Sequence, residues 1–311
     1  MKDAGSGDSV KPLVSVGIPT FNRPEGLRRT LECMLRQSHD NLEIIVSDNA
    51  SSDGRVREVL EKCRAADRRV HVHFQEKNRG PVFNFNYVLE QATGEFFMWA
   101  ADDDEWSPTF IEDCLAEFAR ASTDTVAVAL EAQYTRGKDR YEFFSEGAPF
   151  YDYVSDRSLD RLRHMLRHNY GNLFYSLFRR RALFQDGTSA FRCLNLKSLN
   201  EIPIFLFVMR QGNWKVSPRV GIYKATNDLT YLQARWEKQG GRLPGMALRA
   251  HLQDALVNVL RYHLLALGDV LRSLGRIRIG FLDGLRLKGM SCVLFGRHFL
   301  ACVARRKRRA F

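Results

Sequence analysis

The sequence predicts an α/β protein, a mostly parallel sheet flanked by helices, with a helical and basic C-terminal extension. Two observations predict the sheet. Over the first 130 residues, short β-branched runs alternate with segments of helical period, and strands separated by helices of that length form right-handed βαβ units. Each junction also carries a turn or cap signal. A third observation predicts the extension: from Arg235 onwards there are 16 Lys and Arg against 4 Asp and Glu, a net of +12 that leaves −1 for residues 1–234 out of the chain's +11. A near-neutral body and a basic C-terminal quarter are expected to do different jobs.

Val14–Ile18 is apolar and β-branched, and Pro19 breaks it. Pro24 suits a first helical turn, after which Leu27, Leu31, Met34 and Leu35 recur with the spacing of one buried face. Leu42–Val46 is the second strand. Ser51, Ser52 and Asp53 offer an N-cap for a helix to about Ala66. Val70–Phe74 is the third strand, Pro81 opens a helix that ends before Gly94, and Phe96–Trp99 is the fourth strand. Pro108–Ala121 reads as a helix and Thr125–Leu130 as a strand. Beyond it the pattern is mixed: a helix at Leu159–Arg167, a strand-like run Asn172–Phe178, a helix at Leu196–Gln211 ending on Gly212, and strands at Trp214–Val216 and near Val220–Tyr223. Arg242–Pro244 reads as a linker. Apolar residues from Leu252 to Leu271 then recur at helical spacing with Gly275 as a stop, and a last basic segment ends in Arg305–Arg309.

With 311 residues, 45% hydrophobic and 27% charged, the chain can bury a sizeable core, which excludes general disorder, collagen and a coiled-coil rod. The six cysteines form no C-x-x-C pair, so zinc and thioredoxin-like chemistry have no support and a reducing cytoplasm fits. Residues 1–11 are polar and Gly/Ser-rich, expected to be flexible, with no apolar signal region. No apolar run reaches the ~18 residues that suggest a membrane-spanning helix.

In a parallel sheet, ligands bind beyond the carboxyl ends of the strands. Those positions hold Pro19-Thr20-Phe21-Asn22-Arg23, then Ser47-Asp48-Asn49-Ala50-Ser51, then Glu76-Lys77-Asn78-Arg79-Gly80, then Asp102-Asp103-Asp104-Glu105. Singly, Asp48–Asp53 reads as a helix cap and Asn78–Gly80 as a turn. Four polar clusters at one sheet edge argue for a site. The acidic run is the sharpest of them. Adjacent carboxylates repel one another unless a cation sits among them, and hard oxygen ligands suit Mg²⁺ or Mn²⁺, which commonly bridge to a diphosphate. The competing reading is an exposed loop capping the helix that opens at Pro108. The eight His are not clustered, and His71 and His73, alternating on one strand, do not read as ligands.

Taken in this order, these segments resemble family 2 glycosyltransferases, inverting enzymes of the GT-A (Rossmann-like) fold, over about residues 12–225. Val14–Arg23 resembles the opening strand and nucleotide loop, and Glu43–Gly54 the segment whose first Asp, here Asp48, usually contacts the base. Asn78-Arg79-Gly80 with Asn84 and Asn86 resembles the stretch leading to the metal motif, and Ala101-Asp102-Asp103-Asp104 the D-x-D region. The resemblance implies a glycosyltransferase domain over 12–234, with a nucleotide-sugar half over 12–130 and an acceptor half over 131–234, followed by the helical basic region 245–311. It implies Pro19, Thr20, Phe21, Asn22, Arg23, Asp48, Asn49, Asn78, Gly80, Asn84, Asp102 and Asp103 on the nucleotide-sugar, UDP-sugar foremost. Asp104 is expected on a divalent metal and Asp102 toward the ribose and metal-bound water, with Asp103 open to either role. Counting back from Gly212 places the family's base at Glu201, with Asp186 as the backup; the competing role for Glu201 is as a cap of the helix opening at Pro203. Arg179 and Arg180, in the run Arg179–Arg181, fall where the family has a basic pair on the acceptor side; as a solvated surface run they read equally well. Where the family often has a His, Lys224-Ala225-Thr226-Asn227 stands instead.

The acceptor implied is a glycan or lipid-linked hydroxyl in surface polysaccharide or glycolipid biosynthesis. The basic end, outside the resemblance, suits an anionic membrane surface at ~1 kcal/mol per Lys or Arg, which places the protein in the cytoplasm, peripheral to the inner face of the membrane. The segment Leu252–Leu271 is better suited to packing on the body. Three other readings compete. A nucleotidyltransferase wants a Gly-rich phosphate loop that Pro19–Arg23 does not provide. A nucleic-acid-binding protein fits the basic end but not the neutral body, so no nucleic-acid partner is expected. A catalytically inactive scaffold of the same fold follows from the altered base motif.

Overall fold

The computed structural model describes residues 11–136, 139–142, 152–167, 171–196, 201–225, 267–276 and 285–292. β1 (Val14–Thr20), β2 (Leu42–Asp48), β3 (Val70–Phe74) and β4 (Phe96–Trp99) form a parallel set in the order β3-β2-β1-β4. The helices between them are α1 (Pro24–Leu35), α2 (Gly54–Ala66) and α3 (Pro81–Gln91). After β5 (Asp104–Trp106) and α4 (Phe110–Arg120), the chain adds β6 (Thr125–Arg136), β7 (Asp139–Glu142), α5 (Ser158–Arg167), β8 (Leu177–Arg179), the hairpin strands β9 (Phe184–Gln185) and β10 (Thr188–Ser189), α6 (Ala190–Leu194), α7 (Ile202–Gln211) and β11 (Asn213–Ala225).

The same sheet continues β4-β8-β6-β11-β5, so one sheet spans both halves expected from the sequence. β8 runs antiparallel to both β4 and β6, β6 and β11 are parallel, and β5 is antiparallel to β11. Strand alternation puts neighbouring residues on opposite faces. Ile44 and Val46 therefore pack with Leu27, Leu31 and Met34 of α1, Leu60 of α2 and Phe110 and Phe118 of α4. Ile45 joins the other layer with Val88 and Leu89 of α3, Leu162 and Met165 of α5, and Phe205 and Val208 of α7. Trp99 centres that layer, stacked on Phe174 at 4.6 Å and donating its indole N–H to Phe85 O at 3.0 Å.

Several expectations are refined. Pro19 does not end β1, which runs on to Thr20. Gly17 O accepts the last bond from the β4 side, from Ala100 N at 3.0 Å; Pro19 alternates to that same side beyond it, where its missing N–H costs nothing. The run Asn172–Phe178 is a 3-10 turn (Gly171–Tyr175) followed by β8. A buried apolar run does not distinguish the two, and Ser176 closes the turn by donating N–H and Oγ–H to Leu173 O. The helix expected over Leu196–Gln211 begins at Ile202, while α6 stops at Asn195, whose φ is +49°. Gly275 does not stop its helix, which includes residues 267–276. The N-terminus before Lys11, the linker Arg242–Pro244, Asn200 and the Arg305–Arg309 run lie outside the described residues. Among the described residues, no helix is long and apolar enough to cross a membrane.

Candidate active site

Three loops beyond the carboxyl ends of β1, β2 and β3 are stitched together by short polar side chains. Asn22, at φ +55°, accepts at Oδ1 from the N–H groups of Ser52 (2.8 Å) and Asp53 (3.1 Å). Asp48 accepts from Ser51 N–H (3.1 Å) and Oγ (2.5 Å). The Asn49 amide donates to Asn78 Oδ1 (3.0 Å) and Gly80 O (3.2 Å), and its Oδ1 accepts from Arg79 N–H (3.0 Å). Gly80, with φ +82°, makes the turn into α3. From that helix the Asn84 amide donates to Thr20 O and Ser47 O, while its own buried Oδ1 has no hydrogen-bond partner. The loops enclose a cavity of about 470 Å³ lined by Pro19, Thr20, Phe21, Arg23, Asn49, Asn78, Asn84, Asp102, Asp103 and Tyr175. Phe21 is an exposed aromatic at its rim.

The acidic run forms one wall. Thr20 Oγ1 donates to Asp102 Oδ2 at 2.8 Å, and Arg23 bonds Asp102 Oδ1 at 3.3 Å and also Asp103. Asp102 and Asp104 are only 8% and 6% exposed. Burial pushes the Asp102 carboxyl above the usual carboxylate range, against the pull of Thr20 and Arg23. Burial likewise pushes Asp104 up to about 6, although the Lys224 ammonium draws it back. Lys224 Nζ lies 3.1 Å from Asp104 Oδ2 and 4.1 Å from the centroid of the Tyr175 ring. The first contact is an ion pair to a buried carboxylate oxygen.

Glu201 sits at the N-cap place of α7, yet its side chain makes no capping bond, so the cap role is not taken up. Burial pushes its carboxyl up to about 7, again moderated by Lys224. Tyr175 is raised well above its ordinary value, first by burial and then by the charges of Asp104, Glu201, Asp103 and Asp102. These residues therefore share one electrostatic neighbourhood. Its backbone is held from α1: Thr30 Oγ1 lies 2.9 Å from Ala101 O and 2.8 Å from Asp104 O. A Cβ on Gly26 would overlap Asp102 O and stand 3.2 Å from Asp103 Cα.

Three expected residues are placed elsewhere. Arg179 pairs with Phe96, the first residue of β4, and Arg180 donates its N–H to Glu95 O at 2.9 Å and Nε–H to Gly94 O at 2.8 Å. β8 runs antiparallel to β4, so the end of β8 reaches the amino edge of the sheet, opposite the acidic run. Asp186, at φ +51°, forms the β9–β10 turn with Gly187 and lines a cavity of about 570 Å³ with those arginines. The structure does not bring Arg179, Arg180 or Asp186 to the acidic wall. It adds Thr30, Gly26 and Tyr175, for which the sequence carries no local signal, and gives Lys224 a place. Among the described residues no group of three or more His, Cys, Asp or Glu is set to hold a metal by itself. The hard oxygen donors on offer along the acidic run are Asp102, Asp103 and Asp104.

Residues 15–186 match the model of the family described as Glycosyl transferase family 2. The chain is 27% identical over 237 residues to a putative teichuronic acid biosynthesis glycosyltransferase, TuaG, of Bacillus subtilis, covering 73% of this chain and 93% of that one. It is 33% identical over 107 residues to a putative colanic acid biosynthesis glycosyl transferase, WcaA, of Escherichia coli, covering 34% of this chain and 37% of that one. Among solved structures it resembles S. aureus TarS 1-349 in complex with UDP, with a TM-score of 0.58 and 17% identity over 92% of this chain and 71% of that one.

Proposed function

The chain belongs to glycosyl transferase family 2 and is a glycosyltransferase, and from that premise we propose that it moves a sugar from a nucleoside-diphosphate-sugar, UDP-sugar foremost, to a hydroxyl of a glycan or lipid-linked acceptor with inversion at the anomeric carbon. The names of its relatives favour a place in surface polysaccharide synthesis. The observation that carries the reading is the acidic run beside the cavity: Asp102, Asp103 and Tyr175 line it, Lys224 pairs with the neighbouring Asp104, and Tyr175 feels the charges of both Asp104 and Glu201.

The base and ribose of the donor occupy the cavity beside Asp48, Asn49, Asn78 and Gly80, with the ring of Phe21 at its rim and Pro19 in its wall. The orphaned Asn84 Oδ1 and the carboxylate of Asp102 supply acceptors for sugar hydroxyls. Arg23 supplies positive charge toward the phosphates. Carboxylates are hard oxygen ligands, and Asp104 with Asp102 would hold Mn²⁺ or Mg²⁺. When bound, such a metal neutralises charge on the leaving diphosphate. Glu201 is the general base. The acceptor oxygen forms its bond to the anomeric carbon as the bond to the diphosphate breaks; the hydroxyl proton goes to Glu201 and the electron pair leaves with the nucleoside diphosphate. A base near neutrality is matched to this task. A cytoplasmic site peripheral to the membrane, reached through the basic end, completes the proposal.

Calorimetric titration of UDP, and then GDP, with and without Mn²⁺, tests the donor half. Wild type is expected to bind one of them with help from the metal, and Asp104→Ala to lose that help. An absence of binding by either nucleotide sinks the reading and favours a catalytically inactive scaffold.

A further inference from the structure

The donor reading leaves one buried charge at the site without a task. β11 pairs with β5 so that Lys224 stands opposite Asp104, and the Lys224 side chain is only 16% exposed. Burying a lysine removes hydration and side-chain freedom, so it requires partners of opposite charge. Its partners include Asp104, at 3.1 Å, and the face of Tyr175, at 4.1 Å. Its charge also reaches Glu201.

We propose that Lys224 is a resident cation at the diphosphate end of the site, which competes with a divalent metal for Asp104 and gives nucleoside diphosphates a mode of binding that needs no metal. The proposal rests on the donor reading only for its diphosphate half. With no ligand bound, the ammonium already neutralises Asp104. A dication arriving alone must share that carboxylate with a like charge in a poorly hydrated setting, where Coulomb interactions are strong. A diphosphate changes the balance, because its oxygens are partners for the ammonium and the metal together. Arg23, held against Asp102 and Asp103, supplies a second positive charge on the other side of the acidic run. Lys224 therefore lowers the affinity for metal alone and raises the affinity for nucleotide alone, two effects of opposite sign from one side chain.

The test uses the full chain as wild type, Lys224→Met and Lys224→Arg, each checked for an unchanged thermal transition. Mn²⁺ binding is followed by the paramagnetic resonance of the free ion, and UDP and GDP binding in excess chelator by calorimetry. Lys224→Met is expected to bind Mn²⁺ at least about tenfold more tightly and to lose at least about tenfold in metal-free nucleotide affinity. Lys224→Arg is expected to resemble wild type in both. A lysine that only supports the fold would weaken both affinities or neither. Unchanged or weaker Mn²⁺ binding in Lys224→Met overturns the competition, and unchanged metal-free nucleotide binding overturns the diphosphate half. The Mn²⁺ measurement needs no nucleotide, so it stands apart from the donor reading. That reading itself fails if wild type binds neither nucleotide even with Mn²⁺ present.

Discussion

At the scale of single residues, Glu201 as the proposed base is expected to set the pH behaviour of the reaction. Its carboxyl is raised to about 7 by burial, and a general base works only when deprotonated. As pH rises through about 7 the base form accumulates, so kcat/KM is expected to climb across that range and level off above it. Glu201→Gln removes the base while keeping the shape, and should cost about 10²- to 10⁴-fold in kcat with nucleotide affinity little changed. A rate profile from pH 5 to 9 on both proteins checks this; a flat wild-type profile, or full activity in the glutamine variant, assigns the base elsewhere. Asp104, raised to about 6, predicts that metal-assisted nucleotide binding weakens as pH falls below that value, because the protonated carboxyl is a poor ligand. Counting back from Gly212 nominates Glu201 as a position, but its environment was not legible. Nothing local to the sequence says that its carboxyl feels the charge of Lys224, which lies on β11, rather than capping its own helix.

At the scale of elements, the sheet edge was legible because each loop follows a strand whose period is plain. The direction of β8 was not. An isolated apolar run does not declare whether it is parallel or antiparallel, and that choice decides which edge Arg179 and Arg180 reach. The support that α1 gives the acidic run was also hidden, since Gly26 and Thr30 lie in an ordinary amphipathic pattern. Thr30→Val removes the hydroxyl that the carbonyls of Ala101 and Asp104 share. It is expected to cost about 1–3 kcal/mol, because buried acceptors are left unsatisfied. Gly26→Ala sets a methyl against the Asp102 carbonyl and should cost about 1–3 kcal/mol in strain. Both variants are expected to weaken UDP binding more than they lower the denaturation midpoint would suggest, because the part displaced is the acidic wall. Equal UDP affinity in both would show that α1 does not position that wall.

At the scale of the whole molecule, the basic extension and the catalytic body differ in charge but share a core. Val270, Leu274 and Leu287 are fully or almost fully buried in the cluster that also holds the inner faces of α5 and α7. Asp269, 1% exposed, pairs with Arg272 along the same helix. The segments 267–276 and 285–292 therefore contribute to the body itself; most of the Leu252–Leu271 stretch, expected to pack there, lies outside the described residues. Emptying a buried leucine site removes transfer free energy and leaves a cavity. Leu274→Ala and Leu287→Ala are each expected to lower stability by about 2–5 kcal/mol, read by chemical denaturation. The five basic residues of Arg305–Arg309 carry a different expectation. Replacing them by glutamine should leave that stability unchanged while weakening binding to anionic vesicles, with an effect that fades as salt screens the surface. A loss of stability on removing those charges would assign them to the body, and unchanged vesicle binding would remove the membrane from the proposal.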